Sequence, residues 1–391
     1  MTTNPSGSLE NVRRLAAALL AAALAGCGGG GDGASAPAPA PGPAPAPAPA
    51  PQGFMQGTLL TRPFGGASDA DGSLLDLAAD ELAALPRSAT SLADSADRDN
   101  WSASMSGLPS DVLVRVDTQG NVDFFDRGTM ARTGGFSLAA LPGVNLPAFR
   151  SDVKVSPDGQ HVLAYWSRRY DQDEPLLAVF DRGGAVVQQA SSGGFDGFDY
   201  RDAFDWLPDG RFIFFARTSL YTATLGVEEL ASTPVVLPAI VESGAGSTLT
   251  VSPDGRMIAW TLSVDMPDAA GAQVPRGLVF VSDIQGGAMR QLTTLSKGAS
   301  DFDGALSHWS PRWSPDQRYV AFRVAFPPDF YGAVYDGCEP VIVLPAGASS
   351  VAIDGLSDPD SEHFMVTNPH TGGQMAMQSC FVNLSWLGAS R

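Results

Sequence analysis

Three features of the 391-residue sequence predict an all-β fold of many short strands. Glycine (43) and proline (30) are abundant, as in chains that turn often. A hydrophobic fraction of 44% against 17% charged residues suffices to fill a core. Four segments repeat one pattern: VKVSPDGQHVLAYW (153–166), FDWLPDGRFIFFA (204–216), LTVSPDGRMIAW (249–260) and PRWSPDQRYVAFR (311–323). Their prolines, Pro157, Pro208, Pro253 and Pro315, stand 51, 45 and 62 residues apart. β units recurring at such a period mean a propeller or similar array, and the fold expected is a β-propeller of four-stranded antiparallel blades. With 42 acidic and 24 basic residues the formal charge is −18, which excludes a nucleic-acid partner, because phosphate binding needs a basic surface.

The chain begins with Arg13 and Arg14 before an unbroken apolar run, Leu15 to Ala25. Eleven residues suit the core of an export signal and fall short of the roughly 20 that span a bilayer. The run ends in Leu24-Ala25-Gly26-Cys27, which resembles the bacterial lipobox. That resemblance implies cleavage after residue 26, lipidation of Cys27, and an outer-membrane destination, since Gly28 rather than Asp follows the cysteine. An ordinary secretory signal with a chance cysteine is the alternative. Residues 27–53 then form the lipidated cysteine and a tether, GGGGDGASAPAPAPGPAPAPAPAPQG after Cys27. Such a tract has nothing to bury, and its Ala-Pro alternation from Ala36 to Pro51 favours a polyproline II rod of roughly 50 Å. The propeller is expected over 54–391.

Within it, GTLLTR (57–62), GSLLDLA (72–78) and ELAALP (81–86) read as three strands separated by turns. DVLVRVD and NVDFFDR, joined at Thr118-Gln119-Gly120, read as a hairpin in a blade between Trp101 and Pro142. In each of the four repeats proline presets the first corner of a type I turn and aspartate tolerates the second, and in three of them glycine follows and accepts positive φ. The strand after each turn is β-branched and aromatic, as in Phe212-Ile213-Phe214-Phe215. The SPDG turns, with SDIQGGAMRQLTTL (282–295), resemble the TolB-type repeat of β-propellers. The resemblance implies that each SPDG turn joins an innermost strand to the second, and that Asp283 to Thr293 joins the third to the fourth. Gln317 in place of the turn glycine and Leu207 in place of serine depart from the pattern. TolB works by contacting envelope partners, but its additional α/β domain has no counterpart among these segments.

The C-terminal CFVNLSWLGASR (380–391) mirrors FDWLPDGR and reads as an innermost strand whose blade must be completed by the three N-terminal strands. Four repeats, the 101–142 blade and this split blade give six; five results if 54–86 lies outside the ring, and seven if 324–380 hides a further sheet. Trp206, Trp313 and Trp386 before the turns, with Trp166 and Trp260, are expected in the core.

Cys338 and Cys380 form a candidate disulfide closing a 42-residue interval, roughly 3–4 kcal/mol by chain entropy, with two buried free thiols as the alternative. No catalytic residues, metal ligands or cofactors are assigned: G-x-S-x-G is absent, and His161, His308, His363 and His370 lack metal-ligand spacing. His363 and His370, with Gln374, keep a small claim on a metal or sugar site. The candidate binding face is acidic: Asp97, Asp99, Asp196, Asp199, Asp202, Asp301 and Asp303, in FDGFDYRD, SDFDG and their counterpart, with Phe195, Phe198, Tyr200 and Phe302 beside them. Solvated turns are its plain alternative. The sequence therefore supports a lipid-anchored binding or scaffold module of the cell envelope, engaging another envelope protein or a polymer; the alternative is a propeller-type carbohydrate-active enzyme of the lyase kind, working at the central channel.

Overall fold

The computed structural model describes residues 57–63, 73–76, 81–84, 100–103, 111–117, 119–138, 153–166, 176–191, 203–216, 219–227, 229–239, 241–267, 271–295, 307–325, 339–353, 366–367, 374–375, 377–379 and 384–388. The chain divides into two units, Met1–Gln52 and Gly53–Arg391, and the first lies outside the described residues.

Among the described residues of the second unit every regular element is a strand, apart from a single helical residue at Leu138. The first strands are β1 (Thr58–Pro63), β2 (Ser73–Asp76) and β3 (Glu81–Ala84). Group I follows with β4 (Asn100–Ala103), β5 (Val112–Val116), β6 (Asn121–Asp126) and β7 (Arg132–Ser137). Group II holds β8 (Val153–Val155), β9 (His161–Trp166), β10 (Leu176–Asp181) and β11 (Val186–Ser191). Group III holds β12 (Phe204–Trp206), β13 (Phe212–Ala216), β14 (Ser219–Ala223) and β15 (Leu230–Pro234). Group IV holds β16 (Val241–Val251), β17 (Met257–Pro267), β18 (Gln273–Asp283) and β19 (Arg290–Gln291), after which comes β20 (Thr293–Thr294). Group V is β21 (Ser307–Trp313), β22 (Tyr319–Ala325), β23 (Glu339–Pro345) and, beyond the short β24 (Val351–Ala352), β25 (Val366–Thr367) and β26 (Gln374–Met375), the strand β27 (Met377–Ser379). The last strand is β28 (Ser385–Leu387).

Groups I to IV are separate four-stranded antiparallel sheets in simple meander order. β28 pairs with β1, β1 with β2 and β2 with β3, so the two ends of the unit build one further group of four. The N-terminal completion expected from the sequence is present. Innermost strands touch in the cyclic order β4, β8, β12, β16, β21, β28 and back to β4, which closes a ring of six four-strand groups, a β-propeller. Counted by unbroken hydrogen bonding the sheets of four or more strands number five, because group V and the closing group merge through Arg62↔Gln378 and Pro63↔Met377. Both counts describe the same ring. Segment 324–380 supplies β23 and β27 to group V, while β25 and β26 pair only with each other, so no seventh group stands among the described residues.

The core lies between the faces of neighbouring sheets, since each face must be covered by the next group. Val114, Val122 and Phe124 of group I pack with Val153, Val155, Val162 and Phe180 of group II. The largest cluster joins Leu163 and Val179 of group II to Trp206, Phe212 and Phe215 of group III and to Ile258 and Trp260 of group IV. Trp206, Trp260, Trp313 and Trp386 are all buried, as expected; the Trp166 side chain lies outside the described residues.

The repeated turns show why serine, proline, aspartate and glycine occur together. Gly159 N–H donates to Ser156 O at 2.9 Å, closing the turn, and Gly159 has φ +71°. The Ser156 hydroxyl donates to Asp158 Oδ1 at 2.5 Å while accepting from His161 N–H at 2.9 Å. The same ring recurs at Ser252, Asp254 and Met257 and at Ser314, Asp316 and Tyr319. In the second repeat Leu207 has no hydroxyl, and Arg211 instead holds Asp209 at 2.8 Å. Gln317 takes the left-handed conformation itself, with φ +61°, so the loss of glycine there leaves the turn intact.

Candidate functional site

Each of four innermost strands carries a polar residue three places before its turn proline: Lys154, Asp205, Thr250 and Arg312. Ser385 occupies the matching place in β28, between Leu384 and Trp386. All five are buried, with 1 to 6% of their surface exposed. Strand alternation sets them opposite their buried neighbours Val153 and Val155, Phe204 and Trp206, or Leu249 and Val251.

Their partners lie mainly in the next group round the ring. Lys154 Nζ donates to Phe204 O, to Leu249 O at 3.0 Å, and stands 3.7 Å from Asp205 Oδ1. It also lies 5.2 Å from the centre of the Phe204 ring. Asp205 Oδ2 accepts from the Thr250 hydroxyl at 3.0 Å and from Val251 N–H at 2.9 Å. Arg312 Nε donates to Leu384 O at 2.5 Å. The tryptophans tie backwards: Trp206 Nε1 donates to Lys154 O at 2.9 Å and Trp313 Nε1 to Thr250 O at 3.3 Å. A buried ammonium or carboxylate is tolerated only when its hydrogen bonds are met, and this belt meets those of Lys154 and Asp205 within groups II, III and IV. Its chemistry is cohesion: the Lys154 amine and the Asp205 carboxylate bond to the ring itself.

A second polar cluster fills the seam between groups IV and V. Ser310, at the bulge in β21, has φ +49°, and its N–H donates to Thr248 Oγ1, itself 2.7 Å from Thr261 Oγ1. His308 is wholly buried, with Nδ1 2.8 Å from Thr293 Oγ1 and its ring against Phe322. It is a packed histidine. His161 lies at the rim of the first turn, 3.9 Å from Asp158. Outside the belt, a depression of about 530 Å³ on group I is lined by Arg115, Asn121, Asp123, Arg132, Gly135, Phe136 and Ser137. There the Asp123 carboxylate receives Arg115 at 2.7 Å and Arg132 at 2.6 Å. Among the described residues no group of three or more His, Cys, Asp or Glu side chains is placed to hold a metal ion.

Cys27, Cys338, Cys380, Asp97, Asp99, Asp196, Asp199, Asp202, Asp301, Asp303, His363 and His370 all lie outside the described residues. In chain order the acidic residues fall in segments leading into the innermost strands β4, β12 and β21. Sequence reasoning missed the belt. The signal was present, a polar residue at the same offset before four turn prolines, but reading each strand alone hides it.

No protein-family model matches the chain, and no curated protein matches it. Among solved structures, a protein assigned as a TolB from Agrobacterium tumefaciens is 12% identical, with TM-score 0.43, covering 84% of this chain and 99% of that one. The β-propeller domain of Cps50 (Swd1) from Myceliophteria thermophila is 15% identical, with TM-score 0.40, covering 72% of this chain and 79% of that domain. The tricorn protease is 13% identical, with TM-score 0.33; the match covers 80% of this chain and 28% of the protease. The ring geometry itself defines the class: a β-propeller whose groups turn on repeated Pro-Asp hairpins.

Proposed function

We propose that this protein is a lipid-anchored, extracytoplasmic propeller that serves the cell envelope as a non-catalytic binding or scaffold module. The observation that carries the reading is Leu24-Ala25-Gly26-Cys27 at the end of an eleven-residue apolar run, followed at once by a Gly and Ala-Pro tether. Several acyl chains on one cysteine anchor durably, where one chain binds only marginally. The tether sets the ring away from the bilayer, and Gly28 after the cysteine favours the outer membrane. The acidic segments before β4, β12 and β21 supply the binding face, which suits a basic protein surface or a cationic polymer. Engagement of the buried Lys154 and Asp205 with neighbouring strands supports cohesion rather than chemistry at the ring's centre.

The test is Cys27→Ser, assayed by labelling with a radioactive fatty acid and by fractionation. Label and membrane retention are expected in the parent and neither in the variant. Retention of a labelled Cys27→Ser protein would overturn the anchor.

A further inference from the structure

In groups I to V the innermost strand runs through the peptide chain into the second strand. In the closing group it does not: β28 and β1 come from opposite ends of the unit, held by the three pairs Thr58↔Leu387, Leu59↔Trp386 and Leu60↔Ser385. Every other innermost strand keeps its neighbour by covalent connection even when its hydrogen bonds break, so this joint alone can part without any group unfolding.

The joint carries two reinforcements aimed at the ends of β28. From group V, Arg312 Nε reaches Leu384 O at 2.5 Å. From group I, Arg127 Nη1 reaches Gly388 O at 2.8 Å, and its Nη2 reaches Thr58 Oγ1 at 2.5 Å. One guanidinium thus grips the first residue of β1 and the residue after β28, using the fork geometry that lysine lacks. The start of β1 is wedged as well. Gly57 has φ +95°, and a Cβ there would sit 2.2 Å from Leu387 O and 2.8 Å from Pro315 Cγ, so only glycine fits between β28 and the group V turn. Behind these contacts Leu59, Leu384, Trp386 and Leu387 are fully buried.

We propose that the β1–β28 joint is the gate of the ring, the place where it opens as a unit, and that Arg127 is the latch. Opening exchanges these three strand pairs, the two pairs that join β1 to β27 and the Arg127 contacts for water, while groups I to V keep their sheets. It bares the facing edges of β1 and β28, where Leu59, Trp386 and Leu387 are buried while the ring is closed.

Hydrogen–deuterium exchange of the full chain tests this. In the parent, amides of 57–63 and 384–388 are expected to exchange before those of β12 and β13. Arg127→Ala is expected to speed the same two segments by about tenfold, the size of one charged hydrogen bond, and to leave β16 and β17 unchanged. Thr58→Val removes one acceptor only and is expected to act at the same place more weakly. Arg182→Ala, which cuts the Arg182 bond to Thr133 between groups I and II, is expected to leave the joint alone. The proposal fails if the joint exchanges later than β12 and β13 in the parent, or if Arg127→Ala leaves it unchanged or speeds all groups alike. Should Arg127→Ala not fold, the parent and Thr58→Val measurements decide it.

Discussion

Each repeated turn rests on a single hydroxyl doing two things at once. Ser252 is buried, donates to Asp254 Oδ1 at 2.6 Å and accepts from Met257 N–H at 2.9 Å. Ser252→Ala leaves the half-buried Met257 N–H without that acceptor, and a loss of about 1 kcal/mol in urea-unfolding free energy is expected. The second turn uses a charge instead. The Arg211 guanidinium bonded to Asp209, helped by the Arg211 backbone N–H and outweighing partial burial, holds that carboxyl below the usual carboxylate range. A depressed folded-state value means stabilisation that is complete above the unfolded value near pH 3.9 and lost as pH falls through the folded one. Thermal unfolding from pH 7 to 2 is therefore expected to show Asp209→Asn below the parent at neutral pH, with the gap closing below about pH 4. A gap that widens in acid would contradict this role for the pair.

At the scale of strands, cohesion comes from outward-reaching polar side chains as much as from apolar faces. Lys154 ties group II to groups III and IV, so Lys154→Met removes a buried donor from three acceptors at once. About 3 kcal/mol of destabilisation is expected by equilibrium unfolding. Asp205→Asn should cost less in the Lys154→Met background than in the parent, by about 1 kcal/mol, because the two residues share one network. Strict additivity would show that the belt does not act as a network. Strand positions were legible because period-two alternation and turn residues are local signals: the Thr118-Gln119-Gly120 hairpin and the four SPDG hairpins all stand where the sequence puts them. The belt was not, because a lysine in an apolar strand gains its meaning from carbonyls 50 and 95 residues away. Nor could one sequence tell that Gln317 adopts the glycine conformation or that Arg127 joins both ends of the ring.

For the whole molecule, the closing group explains why segments as plain as GTLLTR and LSWLG belong together. Each leaves an unpaired edge that only the other covers, and the ring removes both edges at once. That inference was open to sequence reasoning because an innermost strand at the chain's end needs a partner. The blade count was less so, since two groups share hydrogen bonds through β27 and β1. The functional account rests on the anchor, the tether and the acidic segments between groups. Its most direct test is affinity capture of the full-length protein, expressed with its own leader, from crosslinked envelopes, beside a variant with Asp199, Asp202, Asp301 and Asp303 changed to Asn and with unchanged unfolding. A defined envelope protein or polymer recovered with the parent and lost with the variant is the expected result. Equal recovery with both, or nothing with the parent, would contradict a binding module that works through its acidic face.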